Sequence, residues 1–314
     1  MNYLFRVLLA LAISVSLFGC GTLPDAQPFA DATSALSSAV KTSGGAASDS
    51  LRDAGSVLPP NETAFYEKKA TELDAEWDKR IKAAQGAVAY SVALVDVVAA
   101  GKSGADTAKK LSDNVAALAT AAGIPIAAPV VGVAGDIARF LLERIAIIRS
   151  SEKLEEAVQQ AQPAIDRIAT HLADEAASQL KPVLTAAYKN SISGIKGAYE
   201  AESNFSPQLS IQRVKLHELV LKDQEKVPDL RELDQLQQSV DARLKERDKK
   251  IDVATQAYKT RLALVSALGA SASSWAAAHR DLASAIREKR KVTVAELQET
   301  VAEIRDLIKK VRAI

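Results

Sequence analysis

Apolar side chains recur at steps of three and four residues along most of this chain. The run from 230 to 265 keeps apolar residues at matching positions of a seven-residue repeat, and the run from 294 to 311 alternates steps of three and four. Such spacing gathers apolar side chains on one face of an α-helix, and a sustained heptad is typical of helices that pack along one another. The sequence therefore predicts an all-α fold, an elongated bundle of long amphipathic, partly coiled-coil-like helices.

The heptad run contains polar interruptions. Gln237 stands at the position shared by Leu230, Leu244, Ile251, Tyr258 and Val265. Arg247 and Arg261 interrupt the partner position, which holds Leu233, Val240 and Ala254. An imperfect seam of this kind favours packing inside a bundle over an isolated two-stranded dimer.

The composition agrees with a helical fold. Hydrophobic residues make up 48% of the chain and aromatic residues only 4%, so the apolar content is dominated by Ala, Leu, Val and Ile. Alanine and leucine are the strongest helix formers among these. With one cysteine, no intrachain disulfide is possible, and stability must come from helix packing.

The first twenty residues form a separate pattern. Arg6 precedes an apolar run from Val7 to Phe18, which is followed by Gly19 and by Cys20, the single cysteine. A short basic start, about a dozen apolar residues and a small residue before the cut are typical of a cleaved signal peptide. The run is too short for a bilayer span of about 20 residues, so we predict a signal peptide at 1–19.

Leu17, Gly19 and Gly21 around Cys20 resemble the lipobox of bacterial lipoproteins. The resemblance implies a diacylglyceryl thioether on Cys20 and an acylated new N-terminus. It also implies a firm membrane anchor, because two or more acyl chains anchor a protein stably, whereas one anchors it only marginally. Gly21, where an aspartate would signal inner-membrane retention, implies the periplasmic face of the outer membrane. The lack of a second cysteine agrees with lipid attachment, because a free thiol in a secreted protein would oxidise.

Two further regions follow the predicted signal. Residues 20–60 are rich in Ser, Ala, Gly and Pro, which predicts a flexible tether that carries the lipid, with at most transient helix. The helical-bundle domain is predicted over 61–314, with Asn61 as the N-cap of its first helix.

An uncharged segment interrupts this domain at 115–135. It contains Ile124, Ile126, Val130 and Val131 between prolines and glycines that break a continuous helix, so we predict an apolar hairpin or turn there. In layout it resembles the hydrophobic tongue of the cytolysin A class of pore-forming helical toxins, which implies insertion into lipid. The alternative is a turn buried under neighbouring helices, since large exposed apolar patches are uncommon.

Few residues suggest chemistry. Arg6 is the only charge in the first nineteen residues, so 39 of the 40 Lys and Arg residues remain, against 39 Asp and Glu, and this balance excludes a nucleic-acid partner. Sequence motifs for a metal, a cofactor or a catalytic residue are lacking, although His171 could share a helical face with Asp174 and Glu175. Trp77 and Trp275 are predicted to fill the core rather than to stack on sugars.

These observations predict a membrane-anchored, extracytoplasmic lipoprotein with a non-catalytic scaffold or protein-interaction role. Its expected contacts are the membrane, through lipid on Cys20, and a protein partner or a second copy. The alternative function is a membrane-active helical bundle that inserts 115–135. An envelope enzyme is a third possibility, supported only by the predicted location.

Overall fold

The computed structural model describes residues 24–100, 154–222, 224–288, 290–292 and 295–314. These residues form an all-α bundle of long helices without strands, which confirms the predicted fold class. Cys20 and the signal peptide predicted over 1–19 lie outside the described residues. The apolar segment at 115–135, with Ile124, Ile126, Val130 and Val131, also lies outside them.

The described residues form the following helices and short helical turns. They are α1 Gln27–Ser56, α2 Pro60–Ala100, α3 Leu154–Glu175, a π-helical turn Ala176–Leu180, α4 Lys181–Ala198, α5 Glu200–Val220, a 3-10 turn Gln224–Lys226, α6 Val227–Glu288 and α7 Ala295–Arg312.

The chain divides into two compact units, each drawn from separate stretches of sequence. Unit 1 takes its described residues from 24–38, 79–100, 154–173 and 269–305. Unit 2 takes them from 39–78, 174–268 and 306–314. Each unit buries one of the two tryptophans, Trp275 in unit 1 and Trp77 in unit 2, so the prediction that both fill a core is confirmed.

The prediction of a flexible tether over 20–60 is wrong for most of that range, because α1 occupies Gln27–Ser56. Its buried residues recur at helical spacing, and most are alanine or serine: Phe29, Ala30, Ala32, Thr33, Ala35, Leu36, Ala39, Val40, Ser43, Ala46, Ala47, Ser48, Ser50 and Ala54. Small residues bury little area each, but they let helices approach closely. A composition that resembles a linker therefore forms a packed helix here.

The contact of α1 with Trp77 shows this close approach within unit 2. The indole Nε1–H of Trp77 donates to the carbonyl oxygen of Val40 at 2.7 Å. A Cβ built on Gly44 would overlap the Trp77 ring, whereas one on Gly45 would meet nothing within 4 Å. Glycine at 44 thus creates the space in which the indole lies.

Helix α2 begins one residue before the predicted N-cap. Pro60 opens it and Asn61 lies inside it, which suits proline at the first turn of a helix, where no N–H bond is lost. Apolar residues at steps of three and four from Tyr66 to Val95 predict one stripe along α2. This stripe holds at Ala70, Trp77 and Ala84, which are buried. It fails at Val92, which is 46% exposed, because the buried face shifts to Ala87, Tyr90, Ala93 and Leu94.

The heptad predicted in α6 is confirmed. Its apolar positions are buried or half-buried from Leu230 to Val265, while most residues between them are exposed. The two arginines that interrupt it reach polar partners within unit 2. The Arg247 guanidinium donates to Ser203 Oγ at 2.8 Å, and that of Arg261 donates to Asp53 at 2.6 Å.

The sequence predicts that Pro207, after Ser206, opens a helix, that Pro228 closes it, and that Pro182 breaks or kinks its own helix. Instead, Pro207 lies inside α5 and Pro228 occupies the first turn of α6. Pro182 follows the π-helical turn at the start of α4, where a wider turn accommodates a residue without an N–H.

Helix α7 buries Leu297, Ile304 and Ile308, as its alternating spacing predicts. Thr293, whose spacing to Glu296 predicts a capping box at the start of this helix, lies outside the described residues. Among the helices that the structure describes, none combines the length and the apolarity that crossing a membrane requires.

Candidate interaction surface and buried polar network

Helix α5 and the first part of α6 pair as an antiparallel hairpin in unit 2. Side-chain contacts join Arg213 to Asp234 at 2.5 Å and Glu202 to Arg243 at 2.8 Å. The residue nearer the start of α5 thus pairs with the residue farther along α6, as in an antiparallel pair. Gln237, the polar exception of the heptad, lies between these contacts and donates to Ser206 Oγ at 3.3 Å. The hydrogen bonds fix the register of the two helices.

The seam of this hairpin uses one face of α5. Its less exposed residues are Ser203, Ser206, Leu209, Leu216 and Val220, of which Leu209 is buried. This spacing is that of a helix that packs against a single neighbour. Glu202 is also half-buried, and the other residues of α5 are exposed.

A second apolar row runs along the exposed side of α5. Ile211 is 56% exposed, Val214 is 62% exposed, and Leu221, which caps the helix, is 76% exposed. Their steps of three and seven residues place them on one face, away from the seam. We call Ile211, Val214 and Leu221 the α5 face. Spacing of this kind is that of a coiled-coil seam without its partner helix.

Unit 1 holds a different feature, a chain of buried hydrogen bonds. The Tyr90 hydroxyl lies 2.8 Å from His279 Nε2, and His279 Nδ1 lies 2.7 Å from Gln162 Oε1. The amide nitrogen of Gln162 continues the chain to Asp166 Oδ1 at 2.8 Å and to the carbonyl oxygen of Ala276 at 3.2 Å.

The partners determine where each proton lies. Asp166 and the Ala276 carbonyl only accept, so the nitrogen of Gln162 faces them and its oxygen faces His279. His279 therefore carries its proton on Nδ1 and donates to Gln162, while its Nε2 accepts from the Tyr90 O–H. The whole chain runs in one direction, from Tyr90 towards Asp166.

Burial keeps both ring groups neutral. It lowers the pKa of His279 to about 3, with Asp166 opposing and Arg280 adding to the shift, and it raises the pKa of Tyr90 well above its ordinary range. His279 and Tyr90 expose none of their surface, and Phe29 covers the imidazole with ring centroids 5.2 Å apart. A base that no solute reaches serves to fix packing, so we assign this network a structural role.

The aromatic neighbours extend the network towards α1. Phe29 stacks on Trp275 with centroids 6.0 Å apart, and the indole N–H of Trp275 donates to Thr33 Oγ1 at 2.7 Å. The Thr33 hydroxyl in turn donates to the carbonyl oxygen of Phe29 at 2.7 Å. The indole N–H of Trp275 and the hydroxyl of Thr33 therefore both have partners.

His171 and its acidic neighbours do not form a site. Within the described ranges, no group of three or more His, Cys, Asp or Glu side chains is placed to hold a metal ion.

Comparison with protein-family models, with curated proteins and with solved structures found no match to this chain.

Neither feature was predicted from the sequence, although signals for both are present. His279 falls on the apolar stripe of Leu268, Ala272, Trp275 and Leu282, and a lone polar residue on such a stripe indicates a buried hydrogen bond. The α5 face shares its helix with an apolar seam. Two apolar rows on one helix indicate a second contact.

Proposed function

We propose that this protein is a lipid-anchored, extracytoplasmic helical bundle that binds another protein through the α5 face. The observation that carries the proposal is the exposure of Ile211, Val214 and Leu221 in a row on a helix whose other side is already packed. Soluble proteins keep large contiguous apolar patches for contacts.

The expected partner presents a helix. The α5 face has coiled-coil spacing, with Glu218 at the position between Val214 and Leu221, and Gln208, Gln212 and Lys215 beside it are polar and exposed. An amphipathic helix with apolar residues at matching steps would cover the row and leave the polar residues at the rim.

The proposed location depends on Cys20 and the residues around it. Lipid on this sulfur would hold the bundle at a membrane surface. The periplasmic face of the outer membrane is the expected side, because Gly21 follows the cysteine.

A photo-cross-linking amino acid at position 214, in cells, tests the partner. We expect a reproducible adduct with one envelope protein, and we expect the Ile211→Asp variant to lose it, because a charge on the face disfavours apolar packing. Gln212→Asp is the matched control, since it adds the same charge to the same helix beside the row. An adduct only with a second copy would assign the face to self-association. Lack of any adduct, or equal loss in both variants, would contradict the proposal.

The anchor is tested with Cys20→Ser in the same cells. Palmitate labelling should cease, and the protein should leave the membrane fraction. If labelling ceases while the protein stays with the membrane, the alternative function, insertion of 115–135, gains support over the lipid anchor.

A further inference from the structure

One charged residue interrupts the apolar row of the α5 face. Glu218 follows Val214 by four residues and precedes Leu221 by three, so the helix places it between them on the same face. Its side chain is exposed, and in the part of the chain that the structure describes no hydrogen bond or ion pair holds it. A helix that covers the α5 face therefore covers a carboxylate as well.

Two cations border the row on one side. Lys215 and Lys222 are exposed and stand beside the row, and neither forms an ion pair with another described residue. The opposite border carries Ser210 and His217, without a lysine or an arginine. One edge of the face is thus positive, and its centre is negative.

The charge at the centre is unfavourable to cover with apolar surface alone. The row extends from Ile211 to Leu221, which is about 15 Å of helix at 1.5 Å per residue. So short a row makes only a few apolar contacts, whereas a carboxylate that loses its water without gaining a cation is strongly disfavoured. Stable binding therefore needs a cation opposite Glu218.

A second copy of the chain does not provide that cation. In a parallel pair in register, each Glu218 faces the other Glu218, and like charges repel. In an antiparallel pair that superposes the two rows, the symmetry axis passes near Leu216. Glu218 then faces the apolar Val214 of the copy, and Lys215 lies close to the Lys215 of the copy. Both arrangements leave charges unmatched.

From this charge pattern we propose that Glu218 selects the partner of the α5 face. The partner is a different protein, whose amphipathic helix places a lysine or an arginine opposite Glu218 and acidic residues along the edge that meets Lys215 and Lys222. This inference rests on the proposed function and narrows it, because it states the charges of the partner helix and excludes a second copy.

Two designed probe peptides test the charge opposite Glu218. Each is an amphipathic helix of three heptads with leucine on its apolar face and glutamate along both edges, which also keeps the peptide from pairing with itself. The lysine probe carries lysine at the central apolar position, and the glutamate probe carries glutamate there. Fluorescence anisotropy of each labelled probe, titrated with the purified protein, gives two affinities. Their ratio isolates this one position, because the edges are identical.

We expect the protein to bind the lysine probe about tenfold more tightly than the glutamate probe. Glu218→Lys should reverse this preference, whereas Glu200→Lys, the matched control, should keep it. The control makes the same charge change at an exposed residue about 27 Å away along α5, at 1.5 Å per residue. Lys215→Glu should weaken binding of both probes and leave their ratio unchanged, because it acts at the edge of the face.

Cross-linking from position 214 in cells tests the exclusion of a second copy. Glu218→Leu completes an uninterrupted apolar row, so we expect an adduct between two copies that the unchanged protein lacks. Gln212→Leu adds the same side chain beside the row and should produce no such adduct. If both variants form this adduct equally, or neither does, Glu218 does not exclude a second copy and the proposal is overturned.

The remaining outcomes separate this proposal from the proposed function. If position 214 forms an adduct with an envelope protein but the purified protein binds neither probe or both alike, only the present proposal is overturned. The same holds if Glu218→Lys keeps the preference for the lysine probe, or if two copies of the unchanged protein form an adduct. Lack of any adduct contradicts both proposals.

Discussion

At Gly44 the Trp77 indole occupies the place where a side chain would begin. Gly44→Ala should therefore force the two helices apart or displace the ring, and the loss of unfolding free energy should be about 1–3 kcal/mol. Urea unfolding followed by Trp77 fluorescence, in chains that carry Trp275→Phe, measures this loss.

Gly45→Ala is the natural control, since a Cβ there meets nothing within 4 Å. Alanine is the better helix former, so this variant should gain up to about 1 kcal/mol. Equal effects at 44 and 45 would show that the Trp77 contact does not decide the packing.

His279 gives unit 1 a defined response to acid. Its pKa is about 3 in the folded chain and 6.5 ordinarily, so between these values the unfolded chain binds a proton that the folded chain does not. Stability from this group is complete above pH 6.5 and falls as the pH is lowered, by roughly 2 kcal/mol at pH 5.

Urea midpoints at pH 7 and pH 5, read from Trp275 in chains that carry Trp77→Phe, check this response against His279→Gln. The variant is less stable at pH 7, because it disturbs the network, but its midpoint should change less between the two pH values. An equal change in both proteins would assign the acid response to other groups.

Among the elements, α6 was predictable from the sequence and α1 was not, for one physical reason. Leucine, isoleucine and valine at heptad positions produce a strong periodic signal in α6. In α1 the buried positions hold mainly alanine and serine, which occur equally often in linkers. Only close contact with Trp77 and Trp275 makes this stripe a buried face, and such contacts are not visible in local sequence.

The same limit applies to the hairpin. Periodicity indicates that α5 has an apolar seam, but it does not show which of its two apolar rows is covered. Arg261 was correctly identified as an interruption of the heptad, but its contact with Asp53 appears only in the structure.

At the scale of the whole molecule, α1 contributes to both compact units. Residues 24–38 belong to unit 1, where Thr33 binds Trp275, and residues 39–56 belong to unit 2, where Val40 binds Trp77. A chain that begins at Asn61 should therefore lose cooperative unfolding in both units, whereas a chain that begins at Pro24 should keep it.

The two tryptophans allow the units to be followed separately. Trp77→Phe leaves Trp275 to report on unit 1, and Trp275→Phe leaves Trp77 to report on unit 2. Thermal unfolding of both variants in each chain length checks the prediction. Unchanged midpoints in the shorter chain would show that residues 24–60 do act as a tether.

The hydrogen-bond chain of unit 1 also provides a probe of how often this unit opens. The Nδ1–H of His279 points at Gln162 in a site without solvent access, so its proton exchanges with water only when the surrounding helices separate. In a nitrogen-15-labelled sample this one side-chain signal would measure how often the core of unit 1 opens under native conditions. Deuterium uptake there would report the opening free energy without denaturant.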